Sequence, residues 1–300
     1  MHNRSKIRLY SSTSDKIYMV FVYIITLLII GVVLIPLIFV VASSFSSADA
    51  VMAGKVYLWP VGFTLKGYAM ILSHEMLLTG IRNSILYVVL GTTINIIMTI
   101  LAAYPLSRKD LKLRNPIMFM FSFTMLFSGG MIPVYLLVRN LGLLDTIWAM
   151  VIPSAMSIWN VIVMRTYFQI SIPQELLESS ALDGCDDFRF LLKIALPLSV
   201  PIIAVNILLY AVGHWNSYMG GFLYLTNSKL YPLQLVLRDI LITSNITGVD
   251  LDIGTLLERE KLKALLQYST IVVASVPVML LYPLVQKYFV KGVMIGAIKG

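Results

Sequence analysis

Cysteine occurs once in 300 residues, histidine three times, and charged side chains make up only 13% of the chain. A lone Cys185 cannot close a disulfide within the chain, so no cross-linked framework holds this fold. A buried or interfacial thiol describes it better than a reactive one. His2, His74 and His214 are too few for a histidine-built metal site. His74-Glu75 starts an H-E-x-x-H pattern, but Leu78 stands where the second histidine would have to be, so the zinc geometry fails. No metal site and no catalytic residue is expected, and an intramembrane protease or hydrolase is not expected either. A G-x-x-x-x-G-K-[ST] phosphate loop is also missing, so the chain has no nucleotide cradle of that kind.

Apolar residues fill the space left by charge. They make up 58% of the chain, and the mean hydropathy is +0.85, far above the balance of an ordinary soluble domain. Six runs approach the ~20 apolar residues that a helix needs to cross a bilayer core: Ile17 to Ala42, Ile85 to Leu106, Pro116 to Val138, Thr146 to Met164, Leu198 to Gly213 and Tyr268 to Leu284. The first run is too long for a signal core and reads as a retained helix. The expectation is an all-α integral membrane protein with six transmembrane helices. None of the six runs contains Asp or Glu, the costly groups that mark ion pathways in gradient-driven carriers.

The net charge of +8 does not point to nucleic acid, because no basic stripe is interleaved with aromatics. The basic residues instead gather beside helix ends, most densely at Arg108, Lys109, Lys112 and Arg114, with Arg4, Lys6, Arg8, Lys16, Arg165, Arg189, Lys193, Lys287, Lys291 and Lys299 on the same side. Short basic loops stay cytoplasmic, so both termini are expected there. This gives a cytoplasmic segment at residues 1–16 and one transmembrane domain at 17–300. The domain carries a cytoplasmic segment at about 165–197 and an external one at about 214–267.

The cytoplasmic segment reads as two short helices joined by a turn. Pro173 opens the first, where its missing N–H costs nothing, and Glu175 in the first turn suits the helix dipole. Leu176, Leu177, Ser180, Ala181 and Gly184 fall towards one face, and Gly184 stops the helix in a left-handed conformation. The second helix, Asp186 to Leu196, presents Phe188, Leu191, Leu192 and Ala195 before Pro197 redirects the chain. Such a pair needs a surface to bury against, either this chain's own helix ends or another protein.

Within that segment, Glu178-Ser179-Ser180, then Ala181-Leu182-Asp183-Gly184, nine residues, and Ile194-Ala195-Leu196-Pro197 resemble the E-A-A loop of bacterial ABC importer permeases. Serine replaces alanine at both small positions, a change that preserves close packing. Gly129 to Leu137 with Leu141 to Thr146, and Gln286 to Val293 with Gly296, look like the carbohydrate-uptake (maltose-type, second permease) family. His214 to Tyr218 through Lys229 to Gln234 is similar to its polysaccharide and lipoprotein-associated branch.

That resemblance implies the six-helix type I importer fold in a bacterial cytoplasmic membrane. It makes Glu178, Ser179, Ser180, Asp183, Gly184, Ile194, Leu196 and Pro197 the ATPase-coupling residues. The implied partners are a second permease subunit, an ATPase dimer carrying ATP and Mg, an extracytoplasmic solute-binding protein and membrane lipid, with a sugar or oligosaccharide as cargo. No cofactor is expected on this chain. An ion-coupled secondary carrier and a non-transporting scaffold are the rival readings.

For the cargo, the residues leave alternatives open. Asn95, Asn160 and Asn206 in apolar helices suit interhelical hydrogen bonds, or contact with a sugar hydroxyl in the path. Tyr87, Tyr104, Trp148 and Trp159 suit packing and interfacial anchoring, or stacking on sugars. His214, Trp215, Asn216 and Tyr218, placed just outside the fifth run, suit contact with solute or binding protein, or a structural re-entrant turn. Leu256 to Gln267 reads as a solvated helix leading into the last span.

Overall fold

The computed structural model describes residues 13–243 and 253–297. Arg4, Lys6, Arg8, Lys299 and residues 244–252 of the external segment lie outside the described residues. Among the described residues there are helices and turns and no strand, as hydropathy and run length require. They form two compact units, one drawn from the stretches that end at Met70 and at Val272, the other from Ile71 to Thr243 and from Val273 onward.

The first unit is built on α1 (Thr13–Ser44) and α2 (Ala48–Met52), with the start of α3 (Lys66–Ser73). Helix α1 is roughly 48 Å long at 1.5 Å per residue, yet it buries only Ala42, Ser43 and Ser44 within the chain. Its base is held by polar and aromatic contacts. The hydroxyls of Ser44 and Tyr68 pair at 2.8 Å, Phe39 meets Tyr268 edge-on, and Lys261 pairs with Asp49 at 2.8 Å. Gly67 is glycine for a spatial reason, since a Cβ there would lie 2.2 Å from the Ser269 hydroxyl.

In the second unit, α4 (Glu75–Ser107) is the central helix. Around and after it come α5 (Arg114–Leu126), α6 (Met131–Asn140), α7 (Ile147–Val151) with a 3-10 turn at Ile152–Ser154, and α8 (Ile158–Ser171). The chain continues through α9 (Gln174–Leu182), α10 (Asp187–Phe190), a π turn at Leu191–Ala195, α11 (Leu196–Leu198) and α12 (Val200–Trp215). Next are α13 (Tyr218–Tyr224), a 3-10 turn at Ser228–Leu230, α14 (Leu233–Thr243) and α15 (Ile253–Ala297), whose later part belongs to this unit. Helix α4 packs chiefly on α12, α8 and α14.

Three helical stretches are long and apolar enough to cross a membrane unbroken: α1, α4 and Lys263–Leu281 of α15. The other three expected spans are bent pairs. α5 and α6 meet at 111°, α7 with its 3-10 turn meets α8 at 52°, and the Asp187–Leu198 stretch meets α12 at 81°. The bends have local causes. Gly129-Gly130 separates α5 from α6, with Gly130 at φ 82°, and Pro133 sits in α6's first turn, where its missing donor is harmless. Ser199 lies between the prolines at 197 and 201. The run Pro116 to Val138 is therefore two helices, because two glycines and a proline remove the backbone order that apolarity alone suggests.

Candidate functional site

The elbow from Pro173 to Pro197 forms as its capping residues dictate. Pro173 precedes α9 and Gly184 follows it at φ +74°. The Cys185 N–H donates to the Ser180 carbonyl and the Gly184 N–H to the Ala181 carbonyl, both at 3.0 Å. These two bonds are the pair that closes a helix when a left-handed residue follows its cap. Asp186 then caps α10, its carboxylate accepting from the Arg189 N–H at 2.8 Å. Ser179 and Ser180 donate to the carbonyls of Leu176 and Leu177, so each hydroxyl is satisfied inside its own helix. Serine stands in for alanine at no polar cost. Glu178 accepts from Gln174 at 2.9 Å, and Asp183 is exposed at the cap.

The elbow has a buried and a bare side. Ser180, Phe190, Leu191 and Ala195 are buried, and Leu176, Leu177, Ile194 and Leu196 pack against the same core. Leu182 is 90% exposed and Phe188 66% exposed, so the tip carries two apolar side chains with little cover among the described residues. Of the apolar residues that the second helix presents, Leu191 and Ala195 are buried in this chain's own core, whereas Phe188 and Leu192 stay exposed. After Phe190 the helix passes into a π turn at Leu191–Ala195, which shifts the angular register of the residues that follow. Pro197 is exposed at the junction.

Behind the elbow lies a cavity of about 750 Å³ lined by Tyr104, Arg108, Gln169, Leu177, Ser180 and Phe190, among others. Arg108 is its hub. The guanidinium donates to both oxygens of Asp110 at 3.0 and 2.8 Å, to Asp187 at 2.7 Å and to the Tyr104 hydroxyl at 3.2 Å. The hydrogen bonds to Asp110 raise its pKa further above an ordinary arginine, against desolvation by partial burial. Asp110 is lowered below its usual value by the same bond from Arg108. Arg108 thus ties the C-terminal end of α4 to the start of α10. Sequence reading used Arg108 only as an orientation signal, because its partner Asp187 is 79 residues away. Arg165 and Gln169 donate to the carbonyls of Leu106 and Ser107 and fasten α8 to the same end.

At the far end of the bundle, His214 overturns its expected place. It lies in the last turn of α12 and is 6% exposed, not in a loop beyond the span. Its Nε2 pairs with Asn95 Oδ1 at 2.6 Å, while the Asn95 amide donates to the Ser154 carbonyl. With the asparagine oriented by that donation, the proton sits on Nε2. Below this contact, Thr99 pairs with the Tyr210 hydroxyl at 2.7 Å, and that hydroxyl accepts from the Ser157 N–H at 3.1 Å.

Asn206 is fully buried and donates to its own helix at the Ile202 carbonyl. Trp215 is buried and donates to the Ala274 carbonyl at 2.8 Å, Asn160 is buried in α8, and Asn216 is exposed as the α12 cap. Of the aromatics, Tyr87 is buried and donates to the Leu230 carbonyl, Tyr104 is buried, and Trp148 and Trp159 are exposed. Tyr218 is partly exposed on α13, stacked on Phe222.

The segment after α12 is sewn down from two sides. Asn83 donates to the carbonyls of Lys229 and Tyr231, and Ser84 accepts from the Leu233 N–H. Asp145, at φ 56°, accepts from the Thr226 hydroxyl and from the N–H groups of Thr226 and Asn227. These donors, the Thr226 hydroxyl first, hold its carboxyl below the usual aspartate value.

Comparison with known proteins agrees with this architecture. The family model described as "Binding-protein-dependent transport system inner membrane component" matches residues 95–295, which contain the whole elbow. The polygalacturonan/rhamnogalacturonan transport system permease protein YtcP of Bacillus subtilis (strain 168) is 40% identical over 287 residues, 95% of this chain and 99% of the relative. Protein LplC of the same organism is 38% identical over 270 residues, 90% of each. A chain from the crystal structure of a bacterial ABC transporter involved in the import of the acidic polysaccharide alginate superposes with a TM-score of 0.84 at 32% identity, covering 93% of this chain and 99% of that one. By the family match, by these relatives and by the shared fold, this chain belongs to the inner membrane components of binding-protein-dependent transport systems.

Proposed function

We infer that the chain is the membrane-spanning permease subunit of an ATP-binding-cassette importer for a saccharide, and that the elbow from Pro173 to Pro197 is where a separate ATPase drives it. The observation that carries this reading is the bare tip. A helical hairpin whose inner side is packed and whose cap is hydrogen-bonded holds Leu182 and Phe188 out where another protein can cover them. Its working partners in this reading are an ATPase pair holding ATP and Mg, a second permease and an external solute-binding protein, with both termini in the cytoplasm. The saccharide cargo is supported by the relative YtcP, whose name specifies polygalacturonan and rhamnogalacturonan, and by the likeness to the alginate importer. The chain performs no covalent step in this scheme.

Force on the elbow has a defined route. α9 is tied through its cap to α10, α10 through Asp187 to Arg108 at the end of α4, and the π turn leads across the 81° bend at Ser199 into α12. The far end of α12 is locked to α4 through His214 and Asn95. Displacement of the elbow therefore rotates or shifts α12 as a body, which is what opening and closing a path requires.

Gly184 tests the reading. Nothing lies within 4 Å of a Cβ built there, so a substitution acts through the left-handed backbone angle and not through a clash within the chain. Gly184→Val strains that angle by about 1–2 kcal/mol or more, whereas Asn tolerates it. In reconstituted vesicles, Gly184→Val is expected to lose the ATP hydrolysis that loaded binding protein stimulates, with membrane insertion intact, and Gly184→Asn to retain most of it. Normal uptake in the valine variant would sink the assignment. So would uptake without any ATPase in response to an ion gradient.

A further inference from the structure

Tyr218 and Phe222 lie one turn apart on α13, so their rings share a face, with centroids 6.0 Å apart and planes within 21°. Over them lies Arg238 of α14, its guanidinium carbon 4.8 Å from the centre of Phe222 and 5.8 Å from that of Tyr218. Gly221 makes the arrangement possible. A Cβ at that position would come within 2.9 Å of the Pro232 ring, so a side chain there would lift α13 away from the start of α14 and take the rings from under the arginine.

The arginine is not fully used by its neighbours. Among the described residues its ion-pair partner is Asp239, the next residue, at 3.6 Å, beyond the ~2.7–2.9 Å of a charge-assisted hydrogen bond. Phe222 is 50% exposed. A half-exposed aromatic side chain under a guanidinium with donors to spare suits a ligand with an apolar side and an anionic edge. A neutral sugar ring would use only the first, and a phosphate only the second.

A uronic-acid ring offers both: a C–H face to stack on aromatics and a planar carboxylate that matches the guanidinium fork. We propose that Tyr218, Phe222 and Arg238 form a subsite for a uronate unit of an acidic saccharide, the exposed parts of the rings taking the sugar's apolar side and Arg238 the carboxylate. The supply of such a ligand rests on the saccharide-importer reading. In the orientation argued above, the subsite lies on the external side, where a delivered saccharide first meets the membrane subunits.

The test uses the assembled transporter in detergent without its binding protein, titrated with trigalacturonate and separately with maltotriose, and read by saturation-transfer difference NMR. Saturation is expected to pass to the galacturonate ring protons. Arg238→Gln should weaken trigalacturonate about ten-fold, the loss of a hydrogen bond to a charged group, and leave maltotriose unchanged. Phe222→Leu should weaken both. Equal trigalacturonate affinity in wild type and Arg238→Gln overturns the subsite. An equal loss for both sugars with a lowered thermal midpoint also overturns it, making Arg238 a clamp between two helices. ATP-dependent uptake by membrane vesicles is measured in parallel. Uptake with no galacturonate signal removes the subsite alone, whereas no uptake of either saccharide removes the importer reading and the subsite with it.

Discussion

Helices α1 and α4 are nearly equal in length, 32 and 33 residues, and both are apolar enough to cross a membrane. They do opposite things with that apolarity. α1 exposes nearly all of its side chains and buries three residues at one end, whereas α4 buries eleven, among them Gly80, Ser84, Gly91, Asn95, Thr99 and Ala103. These are small or polar, and they recur at close to four-residue spacing along one face. In α1 the corresponding residues are Gly31 and Thr26, without a stripe. Hydropathy tells that a helix is in the membrane. Small and hydrogen-bonding residues at helical spacing tell which face meets other helices, because lipid gives no hydrophobic drive between them. α1 is left with a face for lipid or for another subunit, and α4 is the post around which the second unit is built.

The sharpest contrast is between two glycines. A Cβ at Gly91 would lie 2.3 Å from the His214 ring, whereas nothing lies within 4 Å of one at Gly31. Gly91→Leu is expected to separate α4 from α12, at about 1–3 kcal/mol or more for overpacking, and to lower yield and thermal midpoint in detergent. Gly31→Leu should stay within about 0.5 kcal/mol. Equal tolerance at the two positions would break the comparison.

Next in size is the polar pair. Asn95→Leu leaves the Ser154 carbonyl and the His214 ring without their partner, at roughly 1–3 kcal/mol for each buried group stranded. In α1, the Thr26 hydroxyl bonds only to Val22 of its own helix and is exposed, so Thr26→Val should be near neutral. Because the cost at Asn95 comes from stranding, adding His214→Leu should restore part of it. Strictly additive losses in that double-mutant cycle would show that the two residues act separately.

The elbow was legible in the sequence almost to the residue. Its signals are local: a proline before the helix, a glycine after it, an aspartate at the next cap. The membrane class was legible for the same reason, since a run of apolar residues needs no partner to be read. His214 was misplaced because its partner is 119 residues away. An isolated histidine after an apolar run looks the same whether it ends a span or begins a loop. The four-residue stripe on α4 was the signal that would have placed it: Asn95 read together with Gly91 and Thr99 marks a packed face, and a helix end facing that stripe must bring polar groups of its own. The π turn after Phe190 left no such trace, so which apolar residues of the second helix this chain buries itself was beyond a 3.6-residue reading.

The weakest contrast is between two contacts, one at the Ser107 end of α4 and one at the base of α1. The first is ionic, Arg108 with Asp110 and Asp187, and the second is the neutral pair of Ser44 and Tyr68 hydroxyls. Of these two contacts only the first should respond to acid. The pKa of Asp110 is lowered by its bond from Arg108, so its contribution is fully present above the usual aspartate value and is lost as pH falls through the lowered one. Its side chain is 67% exposed, which limits the effect to below about 1 kcal/mol. The thermal midpoint of the purified complex should therefore fall slightly more steeply in acid for wild type than for Asp110→Asn. Ser44→Ala should leave that acid slope unchanged. An unaltered slope in Asp110→Asn would mean that the arginine is held by Asp187 alone, and the end of α4 would then be clamped only through α10.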